Sequence, residues 1–266
     1  MKVLYLATVC HLLFGGLPVF AQGQSGESNA AEQSFVLQGG VEHSEKLAPV
    51  EKSFRHGAKI IEEKPVNDES GNHWYMLPGW AVGSWTSTKS TRTYARDLRS
   101  GQEQLSPETR VTKMAFSWGF QQDNEGHVWE FAKEPYVLTL DSPEHKVVKR
   151  ILKRDFAVAN DSRIVLKMLT ENIVVDKSSD RIKRTLQVEN IQSCVPSAHE
   201  CMSCTASYKI FDELGKPIEI GKELNTARRV APFKSVDEYE GKNMRQLFAD
   251  FMHSHNRSEL IESSQK

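Results

Sequence analysis

From His73 to about Pro232, apolar side chains recur at every second position, and nearly every such run stops at a turn sequence. A period of two puts alternate side chains on opposite faces of an extended chain, so this stretch can build strands and little else. Met114, Phe116, Trp118 and Phe120 fall on one face, with Ala115, Ser117 and Gly119 on the other. Asp123-Asn124-Glu125-Gly126 interrupts the run before His127, Trp129 and Phe131 resume it, and Gly126 suits the positive-φ corner of a hairpin. Tyr136, Leu138 and Leu140 follow, then Val148 and Leu152, Ile164 to Met168, Leu186 and Val188, Tyr208 and Ile210, and last Ile218 and Ile220. Asp141-Ser142-Pro143, Asn160-Asp161-Ser162 and Asp212 to Pro217 are the turn sequences among them. About ten strand candidates without a helix between them predict hairpins in series, in a barrel or a sandwich.

The two ends of the chain read differently. Residues 1–21 have a positive Lys2, an apolar stretch from Val3 to Phe14, helix breakers at Gly15, Gly16 and Pro18, and a Val19-Phe20-Ala21 cleavage pattern. This is the pattern of a signal peptide, so a secreted or periplasmic location is expected. Residues 22–72 are rich in Gly, Ser, Glu and Asn with only short apolar islands, which predicts a flexible N-terminal extension. After the antiparallel domain at 73–232, Met244, Leu247, Phe248, Phe251 and His255 recur at helical spacing. They predict a helix over 233–254, capped by Ser235 with Glu238 three residues on, and packed on the outside of the sheet. Residues 255–266 are expected to form a disordered tail.

Gly83-Ser84-Trp85, at the start of the first long strand, resembles the Gly-x-Trp element of lipocalins and the wider calycin group. The resemblance implies a mainly β fold: an antiparallel up-and-down calycin-like barrel with a C-terminal α-helix packed outside. It also implies that Trp85 packs across the closed end with an arginine from near the last strand over it, and Arg228 or Arg229 stands at the matching place. A barrel of eight to ten strands is wide enough to hold one small ligand. The concentration of aromatic residues in the first half of the domain then marks Phe116, Trp118, Phe120, Tyr136 and Leu138 as the ligand-binding lining.

Three cysteines lie within a short stretch: Cys194, Cys201 and Cys204. In an exported protein, one structural disulfide from Cys194 to Cys201 or to Cys204 is expected, with one thiol left over. A redox pair and a zinc site that adds His199 are the rival readings. The remaining histidines are scattered, no metal or cofactor is expected, and no nucleophile or phosphate-loop motif occurs. Glu130 and Glu134 read as surface carboxylates. The run Lys149 to Arg154 reads as a solvated strand with Arg150 and Arg154 on one face.

The balance of 34 Lys+Arg against 35 Asp+Glu, a formal charge of -1, excludes a basic nucleic-acid module. Apart from the N-terminus, no apolar run is long enough to span a membrane as a helix. The expected function is that of an exported non-enzymatic binding protein. It would carry a small apolar ligand in the barrel or engage a protein partner, such as a host protein, through its loops. The alternative is a barrel-cavity enzyme, a hydrolase or isomerase.

Overall fold

The computed structural model describes residues 42–60 and 72–261. The expected signal segment lies outside these residues, as do 22–41 and 61–71 of the N-terminal extension. In chain order the strands are β1 (Asn72–Leu77), β2 (Gly83–Asp97), β3 (Glu103–Gln104), β4 (Glu108–Trp118), β5 (Gln121–Gln122), β6 (Val128–Lys133) and β7 (Tyr136–Asp141). They continue with β8 (His145–Ala159), β9 (Ile164–Asp176), β10 (Arg181–Ser197), β11 (Cys201–Phe211), β12 (Pro217–Ala231), β13 (Glu238–Tyr239) and β14 (Lys242–Asn243). One α-helix, α1 (Met244–Ser254), follows.

The nine-stranded main sheet is antiparallel, in the order β3-β2-β12-β11-β10-β9-β8-β7, with β4 also paired to β2. Strands β7 to β12 form an uninterrupted meander, and the last long strand returns to pair with the first. Short polar residues set its turns. Asn160 Oδ1 accepts from the backbone N–H groups of Ser162 and Arg163, both at 3.0 Å, and Asp212 Oδ1 accepts from Leu214 and Lys216, both at 2.9 Å. Asp97 and Asp176 do the same at their own corners, so one side-chain device makes four hairpins.

The expected closed barrel does not form among the described residues: β4 and β7 are edges that do not pair with each other. The local cause is Gly119, which follows β4 with φ at 106°. A Cβ there would stand 2.7 Å from Val128 Cγ1 and 2.8 Å from the Phe233 ring, so only glycine turns the chain this tightly. The turn sends β5 and β6 away to form a separate sheet in the order β1-β6-β5. That small sheet bridges the seam through Glu130, which accepts from Arg154 Nη2 on β8 at 2.7 Å and from Gly119 N at 2.6 Å. Glu130 is therefore buried, not a surface carboxylate.

The basic run also departs from expectation. A bulge between Ile151 and Lys153 shifts the strand register, so Arg150 pairs opposite Glu171 while Arg154 pairs opposite Met168. The two arginines consequently lie on opposite faces. Arg150 bonds Glu171 at 2.6 Å and covers the Phe54 ring, whereas Arg154 faces inward to Glu130.

Residues 42–60 are not a flexible extension but a strap across the outer face of the sheet. Its backbone bonds the β11–β12 turn (Leu47 N to Gly215 O, Val50 N to Glu213 O) and β10 (Gly57 N to Ile182 O). Val50 and Phe54 bury themselves against Ile173, Val175 and Ile182. The helix begins later than the capping-box pattern predicts. Residues 238–243 turn as the β13–β14 hairpin, and Asn243, not Ser235, caps α1 by accepting from Gln246 N at 3.1 Å. Met244, Phe248 and Met252 dock on Trp74, Phe120, Trp129 and Phe131, so the helix covers the small sheet. Nor are residues 255–261 a loose tail: Leu260 and Ile261 join that cluster, and Leu260 O accepts from Asn124 N. Residues 262–266 lie outside the described residues. No helix is long and apolar enough to cross a membrane among the described residues.

Candidate functional site

The inner face of the main sheet has two unlike ends. At one end Trp85, Phe116, Trp118, Phe156, Leu166, Met168 and the Cys194–Cys204 pair make a continuous apolar cluster. Trp85 donates from Nε1 to Ala81 O at 2.8 Å, and Arg229 lies over its ring with Cζ 5.0 Å from the centroid. Arg229 also donates to Trp80 O at 2.6 Å, while Arg228, next along the strand, points out to solvent. Alternation explains the split, because adjacent residues of a strand face opposite ways.

The expected aromatic lining is divided between clusters. Phe116 and Trp118 sit in the apolar end of the main sheet. Phe120, beyond the Gly119 corner, packs on Phe131 and Tyr239 in the small-sheet cluster. Tyr136 is half-buried beside Arg154, and Leu138 is half-buried farther along β7. Trp118, Phe120 and Tyr136 do meet at one space, closed by Glu130, Lys133, Ile151, Arg154 and Tyr239, but its volume is about 30 Å³. That is room for a water or two, not for a carried ligand.

The cysteine stretch resolves to a bridge between Cys194 and Cys204, which face each other across β10 and β11 with Cα atoms 4.1 Å apart. Cys201 takes no part and remains a half-exposed thiol. It sits at the hairpin end, opposite Ser197 and seven residues from Cys194. Among the described residues no cluster of metal-ligand side chains forms, so His199 and the cysteines do not assemble.

Farther along the inner face comes a polar band, beyond which Leu186, Val188 and Ile210 resume apolar packing, and the strand register shows how. Asn190, Tyr208 and Gly221 stand in one cross-strand row, Gln192, Ala206, Glu223 and Arg92 in the next, and Cys194, Cys204, Asn225 and Ser90 in the third. Directly paired residues share a face, so all of these side chains point inward. Small Ala206 occupies the middle of the grid and polar side chains ring it. Gly221 is glycine because Tyr208 crosses over it: a Cβ there would lie 2.4 Å from the Tyr208 hydroxyl. The tyrosine thereby reaches Glu219, donating to Oε1 at 2.8 Å.

Ser90 donates to Glu223 at 3.2 Å, and Arg110 holds Glu108 through two contacts at 2.9 and 3.0 Å. Those bonds keep the Glu108 carboxyl at about 2. Burial pushes Glu223 up from its ordinary value, against the pull of Ser90, Arg92 and Arg110. Burial also raises Tyr208, with the Glu219 charge adding to it, so the phenol stays a donor.

Among the described residues, several buried polar atoms here have no partner: both amide atoms of Asn190, the amide nitrogen of Asn225, Nε of Arg92 and the Thr112 hydroxyl. Asn190 and Arg92 are each 4% exposed. An unmet buried polar group costs about 1–3 kcal/mol, so several on one inner face require a reason. Arg92 and Glu219 also line a cleft of about 390 Å³ that opens outward past Ala95, Asp97 and the Gln102–Ser106 connection. This falls within the size range of small-molecule sites. Sequence reading missed this site because Arg92, Glu219 and Glu223 look like solvent-facing members of alternating strands. The one legible signal was glycine at 221 inside a strand, which marks a close approach.

No family model matches this chain, and neither does any curated protein or solved structure.

Proposed function

We propose that this chain is an exported, non-enzymatic binding protein whose curled sheet is calycin-like, and that its ligand is small and polar. The observation that carries this is the cleft of about 390 Å³ lined by Arg92 and Glu219, on an inner face where buried polar atoms of Arg92, Asn190 and Asn225 lack partners among the described residues. The aromatic residues that suggest an apolar ligand in sequence are spent on packing. The Cys194–Cys204 bridge fits an oxidising compartment. The Trp85–Arg229 stack and the return of β12 to β2 support the calycin likeness.

Native mass spectrometry of the protein purified from its own host tests the reading. A small-molecule adduct is expected, and it should be lost when Ser106→Trp fills the mouth of the cleft. A bare chain mass in wild type and variant alike contradicts the reading.

One observation favours the enzyme alternative: burial raises Glu223 toward the protonated form a general acid needs, and Glu219 stands four residues away on the same strand. Turnover of glycoside or ester substrates that disappears in Glu223→Gln, with binding intact, would establish it.

A further inference from the structure

Resting on that reading, we infer that the cleft takes a zwitterion of amino-acid size, with its carboxylate on Arg92 and its ammonium on Glu219. The charges left over on the cleft wall, and their arrangement, carry this.

Arg92 is a cation without a settled partner. It stands between two carboxylates, with Glu223 opposite it on β12 and Glu108 opposite it on β4. Among the described residues neither is bonded to it. Arg110 holds Glu108 at 2.9 and 3.0 Å, and Glu223 accepts from Ser90 at 3.2 Å. Burial also pushes Glu223 toward its neutral form, so it offsets little of the Arg92 charge. The Arg92 Nε is sealed inside, and the outer end of the guanidinium is the part assigned to the ligand. Its two Nη groups form a fork that fits a carboxylate. A buried cation without an anion is costly, so a ligand that supplies one is favoured over a neutral one.

Glu219 is the matching anion. Its Oε1 accepts from the neutral Tyr208 phenol at 2.8 Å, and among the described residues no cation pairs with it. Directly opposite on β2 stands Asp97, and like charges at opposed positions destabilise a sheet. Asp97 is partly relieved. It accepts from the backbone N–H groups of Arg99 and Ser100, both at 2.8 Å, and from the Arg99 guanidinium at 3.3 Å. Glu219 has no such relief, and an ammonium group against it supplies one. Arg92 is 4% exposed and Glu219 8%, so charge pairs formed there are screened less than surface pairs.

The spacing favours one molecule that carries both charges. Four residues of β12 separate Glu219 from the position opposite Arg92, and Ala95 lines the cleft between the two. A simple anion or a simple amine satisfies one of these charges and faces the other as a like charge. A short aliphatic skeleton with both groups satisfies both, and Ala95 and Leu105 offer its methylenes an apolar surface. The cleft, at about 390 Å³, has room for such a molecule.

Isothermal titration at neutral pH with glycine, β-alanine, γ-aminobutyrate and δ-aminovalerate tests this, with butyrate, butylamine and glucose as the anionic, cationic and neutral counterparts. At least one zwitterion should bind at least tenfold more tightly than all three counterparts, a difference of about 1.4 kcal/mol or more. Arg92→Gln should abolish the preference over butylamine, and Glu219→Gln should abolish the preference over butyrate. Ser106→Trp, at an exposed rim position, should weaken zwitterion binding tenfold or more with the fold kept. Where one charge variant fails to fold, the other and the rim variant decide.

A preference under tenfold, or tightest binding by butyrate, butylamine or glucose, overturns the zwitterion inference and leaves the binding reading standing. Zwitterion binding that both charge variants keep in full, or that survives Ser106→Trp, overturns it too. Binding of none of the probes also overturns the inference. If the host-purified protein carries no adduct either, the binding reading falls with it.

Discussion

The two ends of the inner face are built on the same strands and differ in what their side chains have to do. Around Trp85, Trp118 and the Cys194–Cys204 bridge, nearly everything is apolar and in contact, although Trp118 keeps an unpartnered Nε1. In the bridge's own row and the two beyond it, Asn225, then Arg92 and Glu223, then Asn190 are also buried, yet among the described residues several of their polar atoms bond nothing. Burial at the first end contributes stability. At the second it is a standing cost, kept within a sheet that could have used leucine. A region that lowers stability without a folding reason is where function is to be sought.

The largest effect expected from breaking this contrast is at the apolar end. Trp118→Ala should cost about 3–5 kcal/mol in urea unfolding, because the ring leaves a cavity that its neighbours cannot fill. A loss under about 1 kcal/mol would mean that this end is not the anchor of the fold.

Next comes the bridge. The paired change Cys194→Ser, Cys204→Ser should lower stability by about 2–3 kcal/mol on the chain-entropy estimate, and Cys201→Ser should change it little. Equal effects from the two would show that the thiol at 201, not the bridge, matters.

Two rows from the bridge, Gly221→Ala forces Tyr208 off its seat and breaks its bond to Glu219. Overpacking of this kind costs about 1–3 kcal/mol. An unchanged midpoint would contradict the close approach of the tyrosine.

At the polar end the sign should reverse. Asn190→Leu removes two orphaned atoms at similar volume, so stability should hold or rise by about 1 kcal/mol while ligand binding weakens. A clear loss of stability would show that the amide is satisfied in solution.

The smallest effect is a slope with pH. Glu223 is raised above its ordinary 4.5 in the folded state, so folding takes up a proton there. The stability this contributes is complete below that value and is lost as pH rises through the folded pKa. Glu223→Gln should therefore gain on wild type from acid toward neutral pH, and a flat difference would remove Glu223 from the buried set.

Much of this fold was legible in the sequence. Alternation along 114–120 and 164–168, the Asp/Asn corners and the Gly126 turn give antiparallel hairpins directly, and Cys194 has a partner within the stretch expected. What was not legible depends on register. The bulge after Ile151 separates Arg150 from Arg154, and no local pattern announces it. The strap at 42–60 has too little apolar content to predict its own order. It is ordered by bonds to Gly215 and Ile182, remote in sequence. The α1 stripe was legible, but its start was not, because Ser235 with Glu238 mimics a capping box ahead of a hairpin. The polar grid is the same case in two dimensions: Arg92, Asn190 and Asn225 belong to three strands, and only pairing places them together.

The central claim is that the buried polar end of the inner face holds something other than protein. A high-resolution crystal structure of the protein as isolated from its host tests this most directly. The account predicts density for a small molecule at the cleft, against Arg92 and Glu219, with the buried Asn190 and Asn225 amides partnered by ordered waters. An interior in which Arg92, Asn190 and Asn225 are all partnered by neighbouring side chains, with the cleft empty, would contradict it.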